Sequence, residues 1–269
     1  MKKLLFLLSA LMVILTSCSN DDNSNAAPED NFILPKEENG ISMYSSKWKT
    51  TFTYSGNKIV SMVGDNSKSL YTYEGNTIVN EVRFSVDFNG KEKKVFEILY
   101  AYEKGKLKSS TWRGEFTPDY PQGKVNVKTV YTPTSDNVYT YVDYSTNEDT
   151  KIVTKIAEGI LTYKDGNLIR SEHFRLILNT GTIITEIYTF EYDTKNNPFK
   201  NILGYSLILS KYGQFSRNNI IRTTVWNPEH SGSVIVPTKY AYDDKGYAIS
   251  KTEGFSGAGS PSLYVKYTY

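Results

Sequence analysis

The chain carries one cysteine, Cys18, and two histidines, His173 and His230, among 269 residues. A single thiol cannot form a disulfide within the chain, and it leaves no spare cysteines to ligate zinc. The histidines lack a His-x-x-x-His spacing. No Gly-x-x-x-x-Gly-Lys run offers a phosphate cradle, and no loop of alternating acids around a glycine offers a calcium site. An excess of basic charge is also missing. Lys plus Arg is 31 against 29 Asp plus Glu, and two of the cations, Lys2 and Lys3, precede an apolar run expected to be removed. The remaining balance of 29 against 29 argues against a nucleic-acid partner, which needs a basic face to neutralise phosphates. These absences imply no cofactor and no metal.

What is present begins with MKKLLFLLSALMVILTSC. Lys2 and Lys3 form a charged start, and Leu4 to Leu15 an apolar run too short to cross a bilayer as a helix. The stretch Leu15-Thr16-Ser17-Cys18 resembles the lipobox of bacterial lipoproteins. The resemblance implies cleavage before Cys18, diacylglycerol on its sulfur and palmitate-type acylation, so the protein would meet the membrane through Cys18. Two or more acyl chains make a stable anchor where one is marginal.

Residues 19–31, SNDDNSNAAPEDN, are polar and acidic with no apolar periodicity, and read as a flexible tether. Ser19 stands where inner-membrane retention would favour Asp. With Asp21 and Asp22 it resembles the surface-export signal of Bacteroidota lipoproteins. The expected location is the outer membrane, facing the exterior, with the periplasmic face as the alternative.

A pattern then recurs: FTYSGNKIVS at 52, YTYEGNTIVN at 71, AYEKGKLKSS at 101 and LTYKDGNLIR at 161. In each, an aliphatic residue follows the Tyr by the same offset: Tyr54 and Ile59, Tyr73 and Ile78, Tyr102 and Leu107, Tyr163 and Leu168. Two-residue turns at Gly56-Asn57, Gly75-Asn76, Lys104-Gly105 and Asp165-Gly166 would place Tyr directly across from that aliphatic. Each copy therefore reads as a β-hairpin with an aromatic–aliphatic pair near its tip, which stabilises the register by roughly 0.2–1 kcal/mol. KYAYDDKGYAIS at 239 is a looser copy, with Ile249 as its aliphatic. Phe190-Glu191-Tyr192 runs on to Pro198 and should end in a turn, not a return strand. Tyr267-Thr268-Tyr269 reads as a closing strand.

Between the copies lie runs rich in Thr, Val, Ile and Tyr, such as Val125 to Tyr131 and Ile183 to Tyr188. The fold class is all-β: an antiparallel meander of hairpins forming a curved sheet or a partly open barrel. At most one short helix is expected near 198–210, with a buried strand as the alternative there. The organisation is a signal peptide over 1–17, an acylated Cys and tether over 18–40, and one all-β domain over 41–269.

The Tyr-x-Tyr-Gly hairpins, the Asn196-Asn197-Pro198-Phe199 element and Ser216-Arg217-Asn218-Asn219 resemble uncharacterised lipoproteins of Bacteroidota, and more distantly YD-repeat or RHS chains. The resemblance implies a hairpin-built domain of unknown function and carries no active site.

Candidate binding residues are the aromatics of WRGEFTPDYPQGK, namely Trp112, Phe116 and Tyr120, together with Trp226 and His230 of WNPEHSG. Aromatics on loops can stack on sugar rings or anchor a partner. Gly254-Phe255-Ser256-Gly257-Ala258 is a near miss to a nucleophile elbow and reads better as a loop. No catalytic residue is assigned. The leading expectation is a lipid-anchored, non-enzymatic protein that binds a glycan or an envelope protein. The alternatives are a carboxylate-dependent, glycosidase-like hydrolase on the same scaffold, or a periplasmic lipid or lipoprotein carrier.

Overall fold

Every strand of this chain finds its neighbour in sequence, and the first finds the last. The computed structural model describes residues 32–42, 46–177, 179–228, 232–254 and 263–269. Sixteen strands follow one another: β1 Glu37–Ser42, β2 Lys47–Ser55, β3 Lys58–Gly64, β4 Ser67–Glu74, β5 Thr77–Val86, β6 Glu92–Glu103, β7 Lys106–Gly114 and β8 Val125–Ser135. Then come β9 Val138–Asn147, β10 Val153–Lys164, β11 Asn167–Ile177, β12 Thr182–Tyr192, β13 Ile220–Trp226, β14 Ser233–Tyr242, β15 Ala248–Glu253 and β16 Leu263–Thr268. All pair antiparallel in chain order, and β1 closes on β16 with Glu37 opposite Thr268 and Ser42 opposite Leu263. The expected antiparallel meander, a curved sheet or partly open barrel, is present with its barrel fully closed, which leaves no free edge among the described strands.

The repeated pattern does set the register. Tyr54 lies opposite Ile59, Tyr73 opposite Ile78, Tyr102 opposite Leu107 and Tyr163 opposite Leu168. Gly56 and Gly75 open their turns at positive φ, while Lys104-Gly105 and Asp165-Gly166 hold positive φ at both turn positions. Those are the primed conformations that follow strand twist. The later copy differs from expectation: Tyr242 pairs with Ala248, and Ile249 bulges out, 39% exposed.

One regularity could not be read in advance. Immediately after each Tyr–aliphatic pair the return strand holds one extra residue: Val60, Val79, Lys108, Ile169, Ile221 and Ile249. A bulge at the same place in successive hairpins increases local twist and coils the sheet, which favours closure. It also moves every later residue of that strand by one position relative to an ideal hairpin.

Side chains alternate across the wall. The inner face carries the tyrosines, including Tyr71, Tyr100, Tyr131, Tyr141, Tyr188 and Tyr240. The outer face carries Thr, Lys, Glu and Arg, with ion pairs at Lys94–Glu97, Lys155–Glu158, Arg170–Glu172 and Arg222–Glu191. A barrel spanning a bilayer needs an unbroken apolar belt, and a charge at mid-depth costs about 2–4 kcal/mol. Here the exposed apolar residues of the outer face, such as Ile41, Val63, Ile183 and Trp226, are interspersed with those paired charges.

A sixteen-stranded wall encloses more space than its own side chains fill. The connection between β12 and β13, residues 193–219, fills one end. At most one short helix was expected near 198–210, and the segment holds one 3-10 turn at Tyr205–Leu207 and is otherwise irregular. Ile202, Tyr205 and Ile208 are buried against Phe52, Ile59 and Ile78. Each such burial contributes about 1.5–3 kcal/mol. The segment is bonded around the rim of hairpin tips: Leu203 N–H donates to the Asn57 carbonyl at 2.9 Å, Arg217 N–H to Gly166 at 3.2 Å and Asn196 N–H to Gly246 at 2.9 Å. The chain also enters here, since the Asn201 amide donates to the Ile33 carbonyl at 3.0 Å and the Tyr54 hydroxyl to the Pro35 carbonyl at 2.8 Å.

Candidate functional site

The plug forms the floor of a cup whose walls are the inner faces of the strands. Two cavities sit over it. The larger, 630 Å³, is walled by Tyr71, Tyr100, Trp112, Tyr131, Tyr205 and Tyr212, with Glu81, Ser110, Thr129 and Lys211 among its polar groups. The other, 430 Å³, shares Phe199, Tyr212 and Gln214 with it and adds Tyr240, Lys251 and Glu253. A further cavity of 410 Å³ lies between the plug and the hairpin tips, lined by Tyr139, Tyr163, Lys200 and Arg217.

The register explains why these groups meet. Glu81 stands opposite Tyr71 because the bulge at Val79 shifts β5 by one residue. Ile98 of β6 stands opposite Glu81 and opposite Trp112 of β7, so one row across three strands lines one side of the cup. Burial is the main influence on Glu81 and raises its carboxyl above the usual value; Arg83 opposes this, as do Tyr71 and Ser69 within hydrogen-bonding reach. Burial likewise pushes Tyr71 and Tyr100 well above the usual phenol range and Tyr131 up to about 12. These hydroxyls stay protonated at neutral pH and serve as hydrogen-bonding groups, not bases.

A second polar cluster ties plug to wall. The Lys211 ammonium lies 2.6 Å from Asp143 Oδ2, and Thr129 Oγ1 lies 2.7 Å from Asp143 Oδ1. The same ammonium sits 4.5 Å from the centre of the Tyr141 ring. The Tyr141 hydroxyl is 2.7 Å from His173 Nδ1, and Glu186 stands opposite His173 in the ladder. Burial first, and then Lys211, hold His173 below its ordinary value, so it is neutral near pH 7. Ion pair, cation–π contact and neutral imidazole satisfy one another.

The aromatics singled out in the sequence do not converge. Trp112 lies on the inner wall of the larger cavity, 6.3 Å from Phe96. Trp226 ends β13 opposite Ile187 on the outer face, 41% exposed. Phe116 lies in the β7–β8 loop with the Lys94 ammonium 4.2 Å from its ring centre. Tyr120, on the same loop, donates its hydroxyl to Asp149. Cys18, His230 and Ser256 lie outside the described residues. Glu81, Asp143 and Lys211 were not foreseen. Counting two-residue alternation back from the Tyr turns would have put Asn80, not Glu81, opposite Tyr71. Among the described residues no group of His, Cys, Asp and Glu is arranged to hold a metal.

No family model and no curated protein matches the chain. Among solved structures it is similar to a porin-like protein from Bacteroides vulgatus, with a TM-score of 0.62 and 13% identity over 88% of this chain and 99% of that one. A protein of unknown function from Bacteroides fragilis aligns over 44% of this chain and 87% of its own, with a TM-score of 0.34 and 12% identity. The first likeness is one of fold, and in this chain that fold is a closed antiparallel barrel.

Proposed function

We propose that this chain is a lipid-anchored protein of the outer membrane whose barrel stands outside the bilayer and whose lumen binds a glycan without catalysis. The observation that carries the reading is the 630 Å³ cavity walled by Trp112 and tyrosines and bordered by hydroxyls and a carboxyl group. Aromatic rings offer apolar faces to sugar rings, and the polar edge groups offer partners to their hydroxyls. A lipid carrier fits less well, because Glu81 and Lys211 border the same space. Charges on the outer face support an anchored barrel over a spanning one. The chain enters the barrel at the plugged rim.

The test has two arms. Cys18→Ala is expected to move the protein from the membrane to the soluble fraction and to abolish acyl labelling; membrane retention without an acyl label on the wild type would refute the anchor. Calorimetry of the protein against a panel of oligosaccharides is expected to find binding that Trp112→Ala weakens at least tenfold. Absence of binding to every glycan, with recovery of envelope proteins in pull-downs, would transfer the role to protein interaction.

A further inference from the structure

We infer that the lumen recognises a ligand bearing a positively charged amine, with Glu81 as its counter-ion and Tyr71, Tyr100 and Trp112 as the rings around it. The inference rests on the lumenal binding proposed above and specifies the chemistry of the ligand.

Two features of the larger cavity point to a cation. The first is its charge balance. Lys211 is already matched by Asp143 at 2.6 Å. Arg83, the nearest cation to Glu81 along β5, has its guanidinium 5.8 Å from the Phe96 ring centre and 3.4 Å from Ser67 Oγ. Glu81 has no ion pair within 4 Å among the described residues, yet it borders the cavity. Arg83 and the hydroxyls of Tyr71 and Ser69 offset only part of the cost of drawing this carboxylate out of water, and a cation bound in the cavity would offset more of it. The second is the wall. Rings present negative faces, and a cavity of several such faces holds an ammonium well, most of all when water is displaced. Tyr71 and Tyr100 flank Glu81 on β4 and β6, Tyr205 closes the space from the plug, and Trp112 borders it on β7.

The raised carboxyl of Glu81 has a direct consequence. A bound cation favours the ionised form, so binding releases a proton, and affinity rises as pH increases through the Glu81 range. The groups facing Glu81 are Arg83 on its own strand, Tyr71 and Ser69 on β4, Tyr100 on β6 and Tyr205 on the plug. The phenols remain neutral in that range, leaving Glu81 as the titrating member.

The experiment uses the full acylated protein in micelles of a neutral detergent. Three probes are titrated calorimetrically: a glucosamine tetramer, its fully N-acetylated counterpart, and choline. The expected result is at least tenfold tighter binding of the glucosamine tetramer than of the acetylated one, with the preference lost in Glu81→Gln. Choline binding alone would retain the amine site and assign it to a lipid headgroup, at the expense of the glycan reading. Repeating the choline titration in buffers of different ionisation enthalpy tests the wild type without relying on the variant's folding. Choline cannot lose a proton, so any proton released comes from the protein. Equal or tighter binding of the acetylated tetramer would overturn the amine inference while leaving glycan binding intact. Failure of both amine probes, or a preference unchanged in Glu81→Gln, would overturn it as well.

Discussion

The Tyr73 hydroxyl donates to the Leu203 carbonyl at 3.0 Å, joining a hairpin tip to the plug across 130 residues of sequence. The same oxygen accepts the Ile59 N–H of the neighbouring hairpin at 3.1 Å. One phenol therefore serves three segments, and the repeat tyrosines act beyond their own turns. Tyr192 does likewise, donating to the Leu168 carbonyl at 2.7 Å.

Tyr73→Phe is expected to cost about 1–3 kcal/mol, because it leaves a carbonyl and an amide without their partner. Tyr102 provides the control: its hydroxyl is buried with no hydrogen-bond partner among the described residues. Tyr102→Phe should be neutral or stabilising by up to about 1 kcal/mol. Urea unfolding measures both, and hydrogen exchange should quicken around Leu203 in the first variant only.

Asp143→Ala should destabilise by about 3–5 kcal/mol, since the Lys211 ammonium would lose its partner while remaining mostly buried. The double variant Asp143→Ala with Lys211→Met is expected to recover much of that loss. A thermal unfolding comparison of the two decides it; equal loss in both would show that the pair is not the source.

Gly159 faces the lumen beneath the Tyr141 ring. A Cβ there would lie 2.0 Å from the Glu172 carbonyl oxygen and 2.5 Å from the Tyr141 ring. The carbonyl belongs to the ladder and cannot yield cheaply. Gly159→Ala is expected to cost about 1–3 kcal/mol or more, and to disturb the Tyr141–His173 contact, which proton NMR of the imidazole would report.

The pH dependence has two opposing parts. His173 is held below its ordinary 6.5, so the unfolded chain takes up that proton more readily than the folded one. Its stabilising contribution is complete above that pH and declines as pH falls through the interval below it. Glu38 and Glu81 are raised above their ordinary 4.5, chiefly by burial, and act in reverse: their contribution is complete below that value and is lost as pH rises past it. Unfolding midpoints across pH 4 to 8, about the span of these groups, should show His173→Gln flattening the decline below 6.5.

Much of the architecture was legible because the hairpins are local. Gly56, Asp165 and Gly166 declare turns, and turn length then fixes which aliphatic meets which tyrosine. The closed outline was less accessible, since it depends on β1 meeting β16 and on twist added by the bulges. An extra Val79 or Ile169 looks like any other aliphatic in a strand, yet it decides that Glu81 and Ser171 face inward. That the plug would hold at most one short helical turn was legible; its path across the barrel end was not, for a related reason. Its apolar residues, Ile202, Tyr205 and Ile208, answer to a cavity enclosed by the far walls and not to a local period. The lumen's charges follow from both effects and were hidden with them.

The seam between β1 and β16 sets a condition on folding. Glu37 meets Thr268 from the far end of the strand order, so β1 is bonded on one side only until β16 is in place. A chain that loses β16 would present two unpaired borders, on β1 and β15, and be prone to self-association.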